Sequence, residues 1–180
     1  MMEATMANAV ADEREAHYLR LLREHEQAVR RLSGSYEREP ARRQDLIQDI
    51  WLALWQALGS FRGECSERTF VFRVAHNRGV SHIQHWRRRR TEELDEDAPV
   101  ADERVDPLGD VIGRQRQERL RNAVLRLPLG QGQVVVLILE GLTHREVGDV
   151  LGLSENNVAV RLARARAALA QLMQETGDQR

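Results

Sequence analysis

Asn156, Asn157, Arg161 and Arg164 recur at helical spacing along a segment whose other stripe carries Val158, Leu162, Ala165 and Leu169. Amide and guanidinium side chains in that pattern suit the edges of base pairs. Asparagine bonds adenine bidentately, and arginine bonds guanine or holds a phosphate. Arg166 extends the same basic face, while Glu155 suits the helix dipole but has to point aside from phosphate. Just upstream, Thr143-His144-Arg145-Glu146 has the form of a capping box: a threonine that accepts from the backbone three residues on, and a glutamate that reaches back. The helix it opens buries Val147, Val150 and Leu151. Gly152 then permits a left-handed turn, Ser154 caps the next helix, and Gly148 is small where two helices cross. Thr143–Leu169 therefore reads as a helix-turn-helix that binds DNA. The alternative, a helical hairpin whose arginines are merely solvated, leaves the agreement of two caps, a placed glycine and a basic face without a reason.

These side chains need elements to hold them, and the rest of the chain supplies helices. Its 180 residues suffice for one ordinary domain or two small ones. Hydrophobic residues make up 42% and charged residues 31%, with only 4% aromatic and four prolines, which favours an all-α soluble fold over a β-sandwich. From Ala16 to Leu32 the positions Leu19, Leu22, Val29 and Leu32 share one stripe, which Ser33-Gly34-Ser35 breaks. Arg42–Leu58 repeats Leu46, Ile47, Ile50, Trp51, Leu54, Trp55 and Leu58 at three- and four-residue steps, and Gly59 and Gly63 frame a loop. A third helix runs from about Glu67 through Trp86 into Arg87–Arg90, with Phe70 and Val74 inward. Phe70 and Phe72 point apart, so one of the two is expected in the core. Helical periodicity resumes near Gln115, and Pro128 marks a boundary. Val134–Glu140 is read as helix because a lone strand among helices has no partner.

Charge divides the chain more sharply than the net −1 suggests. Residues 1–90 hold sixteen arginines against twelve acids, 91–113 one against nine, and 114–180 ten against seven. The expected organisation is a flexible extension over 1–15, a helical module over 16–90, an acidic linker over 91–113 with Pro99 and Pro107, and a helix-turn-helix module over 114–174. On composition alone the linker reads as a solvated spacer between the two modules. Every basic residue is arginine, for which GC-rich coding is a sufficient cause.

Other functions find little support. Cys65 is the only cysteine, which excludes an internal disulfide and a cysteine-rich zinc site. His82 and His85 lie three apart on a polar helix with His76 upstream, a spacing more usual for solvated histidines than for metal ligands. No phosphate loop, nucleophile–base order or carboxylate pair stands out, so neither catalysis, a cofactor nor a small-molecule substrate is expected. No run reaches the ~20 apolar residues of a membrane span, and the acidic N-terminus lacks the order of a secretory signal, so a cytoplasmic protein without a membrane partner is expected.

Two segments together resemble the extracytoplasmic-function sigma factors of bacterial RNA polymerase. Leu127-Pro128, Glu140-Gly141-Leu142-Thr143, Ser154, Val158, Arg161-Leu162 and Arg164-Ala165-Arg166 resemble their promoter-binding fourth region. Asp45-Leu46-Ile47-Gln48-Asp49 with Trp55, Ser60-Phe61-Arg62-Gly63, Thr69-Phe70 and Arg73-Val74-Ala75-His76-Asn77 resemble the second region. The resemblance spans roughly residues 18–90 and 115–172. It implies that Asp45, Gln48 and Asp49 dock on the polymerase β′ subunit. It implies that Phe61, Arg62, Thr69, Phe70 and Asn77 capture a base flipped from the minus-ten element, and that Arg78, Arg87 and Arg88 follow the promoter backbone. Arg145, Asn156, Asn157, Arg161 and Arg164 would approach the minus-thirty-five element. The implied partners are promoter DNA, core RNA polymerase through its β′ and β subunits and, in many members, an anti-sigma factor.

The residues are chemically suited to these roles. A flipped base needs aromatic walls and polar edges, which Phe61, Phe70 and Asn77 supply, and Phe72 and Trp86 beside arginines suit single-strand capture. Acidity for the helix dipole is the alternative for Asp45 and Asp49. Phe70 stands where many members have tryptophan, and Ala159, Val160 and Ala163 leave fewer groups to read bases. Gly130 and Gly132 loosen a turn that is commonly more polar. A free-standing operator-binding regulator is the alternative function, and a helical adaptor that binds only protein is a third.

Overall fold

The computed structural model describes residues 2–92, 119–120 and 122–175, without the side chains of residues 2–11, 87, 89–92 and 175. The expected acidic linker beyond residue 92 lies outside them. Among the described residues there are helices and no strand. Three helices, α1 (Met2–Gly34), α2 (Pro40–Leu58) and α3 (Glu67–Glu92), pack mutually as one bundle. A short helical stretch over 122–126 precedes a second bundle of α4 (Leu129–Leu139), α5 (His144–Leu151) and α6 (Glu155–Glu175). The bundles touch where α1 meets α4 and α3 meets α5, so the buried side chains form one continuous cluster.

The core of the first bundle follows the apolar spacing. Pro40 starts α2, where a missing N–H costs nothing, and the Glu39 carboxylate accepts from the N–H groups of Ala41 and Arg42 at 3.1 and 3.4 Å. Leu46, Ile47, Ile50, Trp51, Leu54 and Leu58 are buried, each side chain worth about 1.5–3 kcal/mol of transfer free energy. On α1 the buried stripe is Leu21, Ala28, Val29 and Leu32, whereas Leu19 points to solvent. Residues 2–15, expected as a flexible extension, continue the helix instead. Arg14 shows one reason: it donates to the Trp55 carbonyl and lays its guanidinium over the Trp55 ring, 4.6 Å from the centroid, while Tyr18 meets that ring edge-on. Glu67 pins the start of α3 to α1 through Arg20 at 2.8 and 2.9 Å and His17 at 2.7 Å, and these bonds hold its carboxyl below the usual range.

Close approach fixes one glycine in α3. A Cβ on Gly79 would stand 2.5 Å from the ring of Tyr36, which is buried and whose hydroxyl is hydrogen-bonded to Nδ1 of His76 at 2.7 Å. Burial pushes His76 toward its neutral form.

In the second bundle Val134, Val135, Val136 and Leu137 are all buried, which accounts for a run without alternation inside a helix. Gly130 and Gly132 lie within the first turn of α4 rather than in a loop. A Cβ on Gly130 would stand 2.8 Å from the Arg161 guanidinium, and one on Gly132 would stand 3.5 Å from the Val124 carbonyl.

Candidate nucleic-acid interface

The helix-turn-helix is built from α5, a tight turn and α6. The Thr143 hydroxyl accepts from the Glu146 N–H at 3.2 Å, and Glu146 accepts in return from the Thr143 N–H at 2.8 Å and its hydroxyl at 2.9 Å. The Thr143 backbone bond, its hydroxyl and the facing Arg68 and Thr69 hold the Glu146 carboxyl below the usual range. Thr143→Ala is expected to cost about 1 kcal/mol near neutral pH. Because the folded-state pKa of Glu146 is depressed, its contribution is present above the ordinary value of about 4.3 and lost as pH falls through the folded value. The penalty of Thr143→Ala should therefore shrink in urea unfolding at acid pH; a penalty independent of pH would count against the box.

At the turn, Gly152 takes φ 66° and ψ 38° in the left-handed region. Gly148 is required for a reason other than helix crossing: a Cβ there would lie 2.5 Å from the Leu153 carbonyl, so the turn itself closes on it. Ser154 Oγ accepts from the Asn157 N–H at 3.3 Å and caps α6. Val158, Leu162 and Ala165 are buried against the bundle, which leaves Asn156, Asn157, Arg164 and Arg166 exposed on the opposite face. Arg161 is half-buried along the first turn of α4, and Arg145 is exposed on α5.

The residues suggested for the minus-ten element divide into two groups. The Phe61 and Phe70 rings lie 4.5 Å apart at 30°, close to stacked. Thr69 is only 2% exposed and Phe70 only 9%. Thr69 bonds Ser66, whose hydroxyl lies 2.8 Å away and also accepts the Thr69 N–H at 3.1 Å, capping α3. Asn77, Arg78 and Arg88 stand exposed farther along α3, as does Arg62 in the loop, while the Arg87 side chain lies outside those described. Asn77 sits seven residues beyond Phe70, two turns along the same stripe. Phe72 is fully buried and takes no part in a surface: both phenylalanines are core-facing, because the start of α3 is covered on several sides. Trp86 is half-buried beneath the Arg42 guanidinium, 4.1 Å from its centroid.

On α2, Asp45, Gln48 and Asp49 are exposed along one stripe. Leu52 continues it at 56% exposure, an apolar residue that the hydrophobic spacing alone assigns to neither face. His82 is not solvated as its polar helix suggested. Its Nε2 lies 3.0 Å from Glu37 Oε2, a partner 45 residues away in the sequence. Among the described residues no three His, Cys, Asp or Glu side chains gather as a metal site, and no helix is long and apolar enough to cross a membrane.

Comparison with known proteins agrees with this geometry. Family models described as Sigma-70 region 2 and Sigma-70, region 4 match residues 21–91 and 117–169. The chain is 31% identical over 169 residues to the ECF RNA polymerase sigma factor SigM of Mycobacterium tuberculosis, covering 93% of this chain and 82% of that protein. It is 25% identical to the RNA polymerase sigma factor NccH of Alcaligenes xylosoxydans xylosoxydans, covering 97% and 96%. The fold resembles that of CnrH in complex with the cytosolic domain of CnrY, with a TM-score of 0.63, 23% identity and coverage of 89% and 90%. It also resembles the sigma factor RpoE in complex with the anti-sigma factor NepR from Bartonella quintana, with a TM-score of 0.68, 20% identity and coverage of 89% and 96%. Two modules in one order, an exposed face of amides and arginines on α6 and near full-length likeness to SigM lead to one assignment: the chain belongs to the ECF RNA polymerase sigma factors, which direct promoter-specific transcription initiation.

Proposed function

We propose that this chain grips a promoter at two points while riding on core RNA polymerase. Asp45, Gln48 and Asp49, with Leu52 at the end of their stripe, dock on polymerase. Phe61, Thr69, Phe70 and Asn77 take a base extracted from the minus-ten element, while Arg62, Arg78, Arg87 and Arg88 neutralise the adjacent backbone. Asn156, Asn157 and Arg164 read the minus-thirty-five element, with Arg145 and Arg161 on its phosphates. The observation that carries the reading is the pair of amphipathic helices α2 and α6. Each buries one stripe and presents to solvent a polar stripe of the type its partner needs: acids toward protein, amides and guanidinium toward DNA. The chain performs no chemistry itself, since bond formation belongs to polymerase. An anti-sigma factor, as NepR is named in its complex with RpoE, is a further class of partner for this chain.

The recognition helix has few base-reading groups, so each should matter. Asn156→Ala is expected to weaken holoenzyme binding to a selected promoter by about 1–3 kcal/mol and to relax preference at one base pair. A phosphate-contacting arginine such as Arg145, changed to alanine, should weaken all promoters alike and lower the salt slope by about one. Competition binding of promoter libraries to reconstituted holoenzyme distinguishes the two. Unchanged preference in the Asn156 variant would remove that residue from the reading face.

A further inference from the structure

The exposed face of α6 is not wholly polar. Val160 stands on it at 40% exposure, while Val158, Leu162 and Ala165 hold the opposite stripe in the core. At about 100° per residue, Val160 points about 170° away from the middle of that buried stripe. It therefore marks the crest of the helix, the line that reaches deepest when a helix lies in a groove. Asn156 stands one turn before it and Arg164 one turn after it, both exposed, so that amide, isopropyl group and guanidinium succeed one another at four-residue steps. Ala163, exposed on the flank of this row, adds only a methyl group, so Val160 is not screened on that side.

A solvated helix gains nothing from valine at such a position. Its β-branched side chain loses rotamer freedom in a helix, and its apolar surface stays in water until a partner covers it. The groups around it say what that partner is. Asn156 and Arg164 suit base edges and phosphate, and Arg166 adds charge to the same helix. Acidic residues occur on α6 only at its two ends, Glu155 and Glu175. The surface that meets Val160 is accordingly a groove of DNA. The major groove presents one apolar group, the C5 methyl of thymine, and no other base carries it.

We propose that Val160 is a specificity-determining residue of α6: it reads the C5 methyl of one thymine in the minus-thirty-five element by apolar contact, between the base pairs met by Asn156 and by Arg164. The inference rests on the reading of α6 as the helix that enters the groove of that element. From Asn156 to Arg164 the helix rises about 12 Å at 1.5 Å per residue, which matches about three to four base pairs at 3.4 Å each. The thymine falls within that window. Where α6 lacks hydrogen-bonding groups, it thus distinguishes bases by apolar contact instead.

The test uses holoenzyme reconstituted from core polymerase and the full chain, on a promoter selected by competition binding. Each thymine of the upstream element is replaced singly by deoxyuridine, which removes the methyl group and keeps every hydrogen-bonding group. At one thymine the wild-type affinity should fall about three- to fivefold, the worth of one buried methyl group. The factor should be the same at low and high salt, since no charge is involved. Val160→Ala should bind the thymine promoter more weakly by a similar factor and should no longer distinguish thymine from deoxyuridine there. Its thermal melt should be no lower than wild type, because the side chain is exposed and alanine favours helix. A selected element without thymine in the window, wild-type tolerance of deoxyuridine at every position, or an equal deoxyuridine loss in wild type and Val160→Ala overturns the assignment of Val160. If Asn156→Ala still alters base preference in such a case, α6 keeps its place in the groove. If the holoenzyme shows no preference across the upstream element, the reading of α6 falls as well.

Discussion

Reversing the charge at Asp45 and Asp49 together is expected to abolish association with core RNA polymerase while leaving the protein folded. Both side chains are exposed one turn apart on α2, and the face behind them buries Leu46, Ile47 and Ile50. Replacing them therefore leaves the core untouched, and stability should change by no more than about 0.5 kcal/mol. At an interface, two acids turned to arginines exchange attraction for repulsion, and like charges brought together cost several kcal/mol. A loss of affinity of about 100-fold or more follows. Co-purification with core polymerase, alongside a thermal melt, reads both quantities. Association that survives in a folded Asp45→Arg/Asp49→Arg variant would show that these acids serve only the helix dipole. Leu52→Ala should weaken docking by less, because it removes apolar contact without adding repulsion.

Gly148→Ala should be the most damaging single methyl group in the second bundle. The added carbon would meet the Leu153 carbonyl at 2.5 Å. Its neighbour is backbone within a turn fixed by the Leu153 N–H bond to the Gly148 carbonyl at 3.0 Å. Neither side can yield without opening the turn, so the cost is about 2–4 kcal/mol, or roughly 5–15 °C in melting temperature. Gly152→Ala makes an instructive contrast. Nothing lies within 4 Å of that Cβ, and only the positive φ of 66° opposes it, a penalty of about 1 kcal/mol. Circular-dichroism melts of the two variants test the order. If Gly152→Ala proves the worse, helix geometry rather than the turn contact controls this motif.

Much of this was legible in the sequence because it is local. The capping box, the left-handed Gly152, the Ser154 cap and the faces of α2 and α6 all follow from spacings within one or two helical turns, and each takes the expected form. What could not be read is what depends on distant pairs. His82 looked solvated until Glu37 was placed beside it, and Phe72 looked available until α3 was enclosed. The helical state of residues 2–15 depends in part on Trp55, some forty positions later. The bond between Arg31 and Glu140, 109 residues apart, has no signature in either segment. The notion that Gly148 eases a helix crossing was right about the need for a small residue and mistaken about the neighbour, which is the turn's own carbonyl. Thr69 illustrates both kinds. Its position after Ser66 gives a local cap, while its burial arises from the tertiary fold.

In the proposed function, contact with DNA through α6 is not sufficient without docking through the acidic stripe of α2. The most direct measurement is run-off transcription from a genomic fragment library with purified core RNA polymerase, with and without this chain. Discrete transcripts from a restricted set of promoters, appearing only when both are present and lost in the Asp45→Arg/Asp49→Arg variant, are the predicted result. No transcript from core plus chain, together with a footprint from the chain alone, would contradict the account and identify an operator-binding regulator instead.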